Sequence, residues 1–557
     1  MGKREPMREK RSNRLATRNF FASLVALLSV AIVVQSASAA APPLRGKAPR
    51  LILCINVDQL RTDHLLGFSS LYSNEGWMRL LRQGAVYPSV DFNTYPIDIA
   101  TAIANIYSGV YPSVHGISSR VAYDDETGRY RSVLEDRSFI GNYTSERYSP
   151  MALQSSTIGD ELKRASAGRA TVYSIAPTAE AAILSAGLEA DAAYWIENNR
   201  GKWATTTYYT RPMPWFVEKA NATGESVGNR FRGKAWRSLR EIDYRLLPYA
   251  TAKASFNHRV GESVELYKQS ALVNDDVTDL AISFIEYAGY ELASRPNLLS
   301  LSYTAAPFAS AVDYDMGAEM QDSYVRLDLN LSRLLNAVDR KVGLSDCLVM
   351  LSGTGYSSFR VVSSVSANGN RSNRSFSPER CKALLNMFLM AVYGQGQWVN
   401  SYRDGYICLN HTLIKERDLS LSAVRGVAAR FVSEMAGVES CISTSSEPDR
   451  QGTPDRFSNN LYKHDKRDLF VRILSGWHIS SAGSEHLGTE NDGRYRRELC
   501  DAPLIFWGMG VKPMFYANEK PSVKRIAPSL AYVLRIRPPC SSDLPLEAVI
   551  DKATYTK

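Results

Sequence analysis

Five continuous apolar runs punctuate the chain: LILCINV at 51–57, ATVYSIA at 170–176, NLLSLSY at 297–303, DCLVMLS at 346–352 and APLIFWG at 502–508. Their apolar residues do not alternate with polar ones, the pattern of strands covered on both faces, as in a parallel sheet. Between them the spacing turns helical, in GWMRLLRQGA (76–85), SSTIGDELKRAS (155–166) and MQDSYVRLDLNLSRLLNAVDRKV (320–342). Strands alternating with helices predict an α/β fold with a doubly wound, mostly parallel central sheet. Two stretches break the alternation. Residues 190–260, rich in Trp and Tyr, read as an inserted cap, and 361–470 read as an α+β insertion that opens on a polar loop and continues as helix, strand and helix.

In such a core the reactive groups belong on loops at the carboxyl ends of the strands. The loop after the first strand, DQLRTDH (58–64), offers Asp58, whereas TAAPFASA (304–311) and GTGYSS (353–358) offer no carboxylate, imidazole or thiol. The stretch FNTYPIDIATAIANIYSGVYPSVHGI (92–117) has the form of an approach loop feeding a helix from about Asp98 to Tyr107, ended by Ser108 and Gly109. Its turn carries Ile97, Asp98 and Ile99, and no nucleophile. Asp98 is placed as an N-cap, its carboxylate taking free helix amides that would otherwise cradle an anion. Thr101 lies two places beyond Ile99, which turns it about 200° away, and neither Thr94 nor Thr101 has a visible base.

The segments VDQLRTDHL, IYSGVYPSVHGI, YDDETGR, AYWIENNRGKWATTTYY, EMQDSYVRLDLNLSRLL, GQWVNSYRDGYICLNHTLI and APLIFWGMGVKP follow one another in that order. Together they resemble the threonine-type, phosphate-irrepressible bacterial alkaline phosphatases, which stand with the nucleotide pyrophosphatase/phosphodiesterases in the alkaline phosphatase superfamily. The resemblance covers nearly all of the chain beyond its N-terminus. It implies that superfamily's fold and, for an unaltered member, two zinc ions and a threonine that attacks phosphate from a helix N-terminus. Carried over position by position, the aspartate of one zinc site is kept as Asp58, and the threonine nucleophile falls on Ile99. The Asp-His pair after the fourth strand falls on Thr354 and Gly355, and the aspartate and histidine of the other zinc loop fall on Pro307 and Ala311. The asparagine at the phosphate oxygen falls on Arg120, and a Lys-x-Arg pair on Thr178 and Glu180. A late histidine ligand falls on His486 in AGSEHLG, or on Asp492 by gapless counting back from APLIFWG.

The residual ligands on this reading are Asp58 and His486, one for each zinc, where a hydrolytic zinc site takes about three protein ligands. Without the metals no group acidifies a hydroxyl and the charge of a transferring phosphoryl is unsupported. The expectation is a catalytically inactive pseudo-phosphatase with a binding or envelope-scaffold role and no cofactor. The alternative is an active phosphomonoesterase or phosphodiesterase that holds zinc through non-standard ligands.

Charge and the N-terminus bear on location and partner. The formal net charge is +9, but residues 1–18 hold seven Lys and Arg against Glu5 and Glu9, which leaves +4 for the rest and argues against a nucleic-acid partner. The basic segment precedes FFASLVALLSVAIVV (20–34) and small residues at Ala37 and Ala39, the order of a secretory signal peptide over 1–39. The apolar run of 15 is short of the roughly 20 residues that cross a bilayer. A periplasmic or secreted protein without a membrane span is expected, its partner an unknown ligand or an envelope protein. Seven cysteines without a C-x-x-C spacing argue against a structural zinc site, with Cys54 and Cys347 read as buried small hydrophobes. His64 and His115 read as structural, and the sequence holds neither a G-x-S-x-G elbow nor a P-loop.

Overall fold

The computed structural model describes residues 48–551 except 125–128, 211, 223, 244–245, 247–254, 288–295, 309–316, 361–374, 404, 445–454, 463–466, 475–476, 480–494 and 541–542. The expected signal segment 1–39 and the positions Ala311, His486 and Asp492 lie outside the described residues.

Among the described residues ten strands form the central sheet: β1 (Leu51–Asp58), β2 (Ala85–Tyr87), β3 (Gly141–Asn142), β4 (Val172–Ala176), β5 (Ala192–Ile196), β6 (Trp203–Thr206), β7 (Asn297–Thr304), β8 (Cys347–Gly353), β9 (Leu504–Gly508) and β10 (Met514–Phe515). Their order is β10-β2-β9-β8-β1-β7-β4-β5-β6-β3. The run from β8 to β5 is parallel, as the apolar runs predict. Strand β1 shows why those runs do not alternate: Leu51, Leu53, Ile55 and Val57 enter one core, while Ile52 and Cys54 enter the other.

Seven helices frame the carboxyl edge of the sheet and the insertion: α1 (Ile99–Ser108), α2 (Ala179–Ala186), α3 (Val273–Tyr287), α4 (Gly317–Lys341), α5 (Pro378–Tyr393), α6 (Leu421–Ser433) and α7 (Ile526–Leu534). Helices α3 and α4 cover one face of the sheet, and α1, α2 and α7 the other.

The structure departs from the sequence reading in three places. APLIFWG forms β9, which runs antiparallel to β8; burial on both faces marks a strand as central but does not set its direction. AAYWI is not part of a cap: it is β5, paired in parallel with β4, and β6 follows it as an antiparallel neighbour. Tyr194, Trp195 and Trp203 are fully buried, so their aromatic richness belongs to the core and the segment outside the sheet begins after Thr206. The insertion holds more strands than helix, strand and helix. Between α5 and α6 comes the hairpin Val399–Arg403 and Tyr406–Leu409, and strands Val438–Ser443 and Leu469–Ile473 complete a four-stranded sheet over its own core of Leu385, Trp398 and Val424. Buried Asp468 ties this unit together, accepting from the Leu409 amide at 2.6 Å and from Arg425 Nη2 at 2.7 Å.

One buried carboxylate on α4 fixes the segment that leads from β1 to β2. Asp328 Oδ1 accepts from the Trp77 amide and Oδ2 from the Ser73 amide, both at 2.7 Å. Removing both acceptors leaves the two donors without partners. Asp328→Ala is expected to lower stability by about 2–3 kcal/mol in urea denaturation, and Asp328→Asn, which keeps one acceptor, by less.

Candidate functional site

Strands β7, β1 and β8 end side by side, with Asp58 opposite Thr304 and Val57 opposite Gly353, so the three loops beyond them meet at the carboxyl edge of the sheet. The Asp58 carboxylate lies at their junction. Its Oδ1 accepts from Thr354 Oγ1 at 3.1 Å and from the Tyr356 hydroxyl at 2.8 Å. Thr354 Oγ1 in turn accepts from the Gln59 amide at 2.8 Å. Gln59 stands in the left-handed region at φ 59°, and its Oε1 accepts from the Ser358 amide at 2.7 Å. Thr354 and Tyr356 are both buried. Tyr356 escaped the sequence reading, because a tyrosine inside GTGYSS carries no signal of what its hydroxyl reaches.

The described residues of these loops do not fit zinc. Gly355 has φ +78°, and a Cβ built there would fall 2.1 Å from Phe92 Cδ2 and 2.5 Å from Phe92 Cε2. Phe92 is buried, so an imidazole cannot leave position 355 while that ring is in place. Thr354 directs its proton to Asp58, which leaves the pair acting as donor and acceptor to each other. On the loop after β7, Pro307 has no side-chain donor atom. Its neighbour Phe308 is buried against Trp236 and His258, with ring centroids 5.4 and 4.7 Å apart. Among the described residues, no three His, Cys, Asp or Glu side chains gather so as to hold a metal ion.

The neighbouring Cys500 thiol and His64 imidazole are shifted towards their neutral forms. The Cys500 amide donates to Gly355 O at 3.0 Å, and burial pushes its thiol up to about 12, with carboxylates that include Asp58 adding to the rise. Cys54 and Cys347 are buried as expected. Burial, then the Arg61 charge, pushes His64 down to about 4; its ring packs near Phe68 and Tyr324 at 5.6 and 5.8 Å.

The N-terminus of α1 is closed by Asp98. Its Oδ1 accepts from the Thr101 amide at 3.0 Å, the cap that the sequence predicts, and Gly109 at φ 69° ends the helix. The second oxygen does more than expected, accepting from Ser119 Oγ at 3.0 Å and from the Arg120 amide at 2.7 Å. Asp98 as a whole is 4 % exposed. Ile99, at the position that the resemblance gives to the nucleophile, packs half-buried against the second core. Thr94 and Thr101 are buried, and Thr94 Oγ1 donates to Phe92 O at 2.9 Å. Thr178 and Glu180 serve α2: Thr178 Oγ1 accepts from the Ala181 amide at 3.4 Å, and Glu180 sits in the first turn, where a negative charge complements the helix dipole.

The approach loop is clamped from the insertion side. Tyr95 meets Phe457 and Phe470 edge-on at 5.4 and 5.7 Å, the Arg456 guanidinium lies 5.6 Å from its ring, and its amide donates to Arg456 O at 3.0 Å. Beyond α1, buried His115 accepts from the Ile117 amide at Nδ1 (3.0 Å) and meets the Asn105 side chain at 2.7 Å through Nε2.

A protein-family model described as type I phosphodiesterase / nucleotide pyrophosphatase matches residues 52–448. The chain is 24% identical over 519 residues to alkaline phosphatase PafA of Elizabethkingia meningoseptica, covering 88% of this chain and 92% of that protein. It is 25% identical over 516 residues to a protein of Myroides odoratus named calcium-transporting ATPase, with the same two coverages of 88% and 92%. To alkaline phosphatase PhoV of Synechococcus elongatus it is 23% identical over 517 residues, covering 89% and 91%. The crystal structure of wild-type alkaline phosphatase PafA shares the fold, with a TM-score of 0.74 at 22% identity over 92% of this chain and 100% of that one.

The loop packing sets two expectations. Gly355→Ala adds a side chain in the left-handed region and drives it into Phe92, and is expected to cost about 2–4 kcal/mol in urea denaturation. Burial pushes His115 from 6.5 down to about 3. Between those values the unfolded chain binds a proton that the folded chain refuses, so this group leaves stability intact above 6.5 and removes it as pH falls, by up to about 1.4 kcal/mol per pH unit. Urea midpoints measured from about pH 7 to about pH 4.5 should fall more steeply for wild type than for His115→Gln.

Proposed function

The chain belongs to the type I phosphodiesterase / nucleotide pyrophosphatase family, within the alkaline phosphatase superfamily, and from that premise we propose that it is a catalytically inactive member acting by binding. The observation that carries this reading is the state of Asp58: its carboxylate is engaged by two protein hydroxyls, and the adjoining position 355 is closed by Phe92. A hydroxyl pair neutralises no charge and polarises no phosphoryl oxygen, so transition-state stabilisation of the kind phosphoryl transfer requires has no source among the described residues of these loops. Ile99 adds that the helix N-terminus presents no attacking atom, and Asp98 that it presents a carboxylate where an anionic substrate would need amides.

The order of basic, apolar and small residues over 1–39 supports export to the periplasm or beyond. Among the described residues no helix is long and apolar enough to cross a membrane. In that compartment the protein serves as a ligand-binding or scaffold component of the envelope, with neither zinc nor nucleic acid as a partner.

An active phosphomonoesterase or phosphodiesterase has two observations in its favour: Asp58 stands at the carboxyl end of β1, and relatives carry the name alkaline phosphatase. One preparation of mature protein separates the two readings. Zinc content and hydrolysis of p-nitrophenyl phosphate and bis(p-nitrophenyl) phosphate are measured together. Substoichiometric zinc and hydrolysis at the buffer rate are expected. Stoichiometric zinc with chelator-sensitive turnover, both lost in Asp58→Ala, would establish the active reading instead.

A further inference from the structure

We draw no further inference here: the strongest candidate, the cavity of about 430 Å³ between α3, α4 and the segment 230–239, carries nothing because Arg230, Asp276, Asp279 and Arg333 in its wall are already paired with one another and no group there points to a ligand.

Discussion

A carboxylate at the end of a central parallel strand needs its hydrogen-bonding capacity filled, and the whole carboxyl edge of this sheet is organised around the way Asp58 achieves that. Thr354 and Tyr356 both turn their hydroxyls to one carboxylate oxygen, and the Asp58 carbonyl accepts from the Ala305 amide at 2.8 Å. The loops after β1, β7 and β8 are thereby joined to one another through a single residue. Charge–hydroxyl bonds of this kind contribute roughly 1–3 kcal/mol each when partly withdrawn from water, enough to hold a short loop in one conformation.

Apolar packing then consolidates what the hydrogen bonds begin. Phe92 fills the space into which a side chain at 355 would project, Phe308 is buried with Trp236 and His258, and Tyr95 is held between Phe457 and Phe470. Burying a ring of this size is worth about 1.5–3 kcal/mol, so the three together weigh as much as a sizeable part of a domain's net stability. An imidazole at 355 needs Phe92 gone, and removing Phe92 takes away core packing that the approach loop uses.

How much of this was legible in the sequence depends on the kind of interaction. Continuous apolar runs mark β1, β7 and β8 because burial on both faces is a property of the strand itself. The cap at Asp98 and the stop at Gly109 are local too, each requiring only neighbouring backbone. The direction of β9 is not local, since it depends on how the chain returns from the insertion. The aromatic strand β5 has the composition of a pocket lining, and only its pairing with β4 reveals it as core. At the site, the residues that cannot bind metal are visible one by one, but the groups that take up the vacated space are not. Phe92 and Tyr356 lie far along the chain from Gly355 and Asp58, respectively, and nothing in a phenyl ring or a lone phenol announces the contact.

The loop and helix from 92 to 117 are held in shape by contacts of their own. An N-cap contributes about 1 kcal/mol whichever residue comes after it, and Asp98 goes further by binding Ser119 and Arg120 with its second oxygen. That bond joins the start of α1 to the segment beyond His115, so the carboxylate stabilises the fold at the point where an anion would otherwise be cradled. A phosphate entering there would meet a carboxylate already using both oxygens, with Arg120 tied through its backbone to the same group. The turn, cap and glycine stop of the motif are stable on their own account, and Ile99 is accommodated there as an apolar side chain packed on the core.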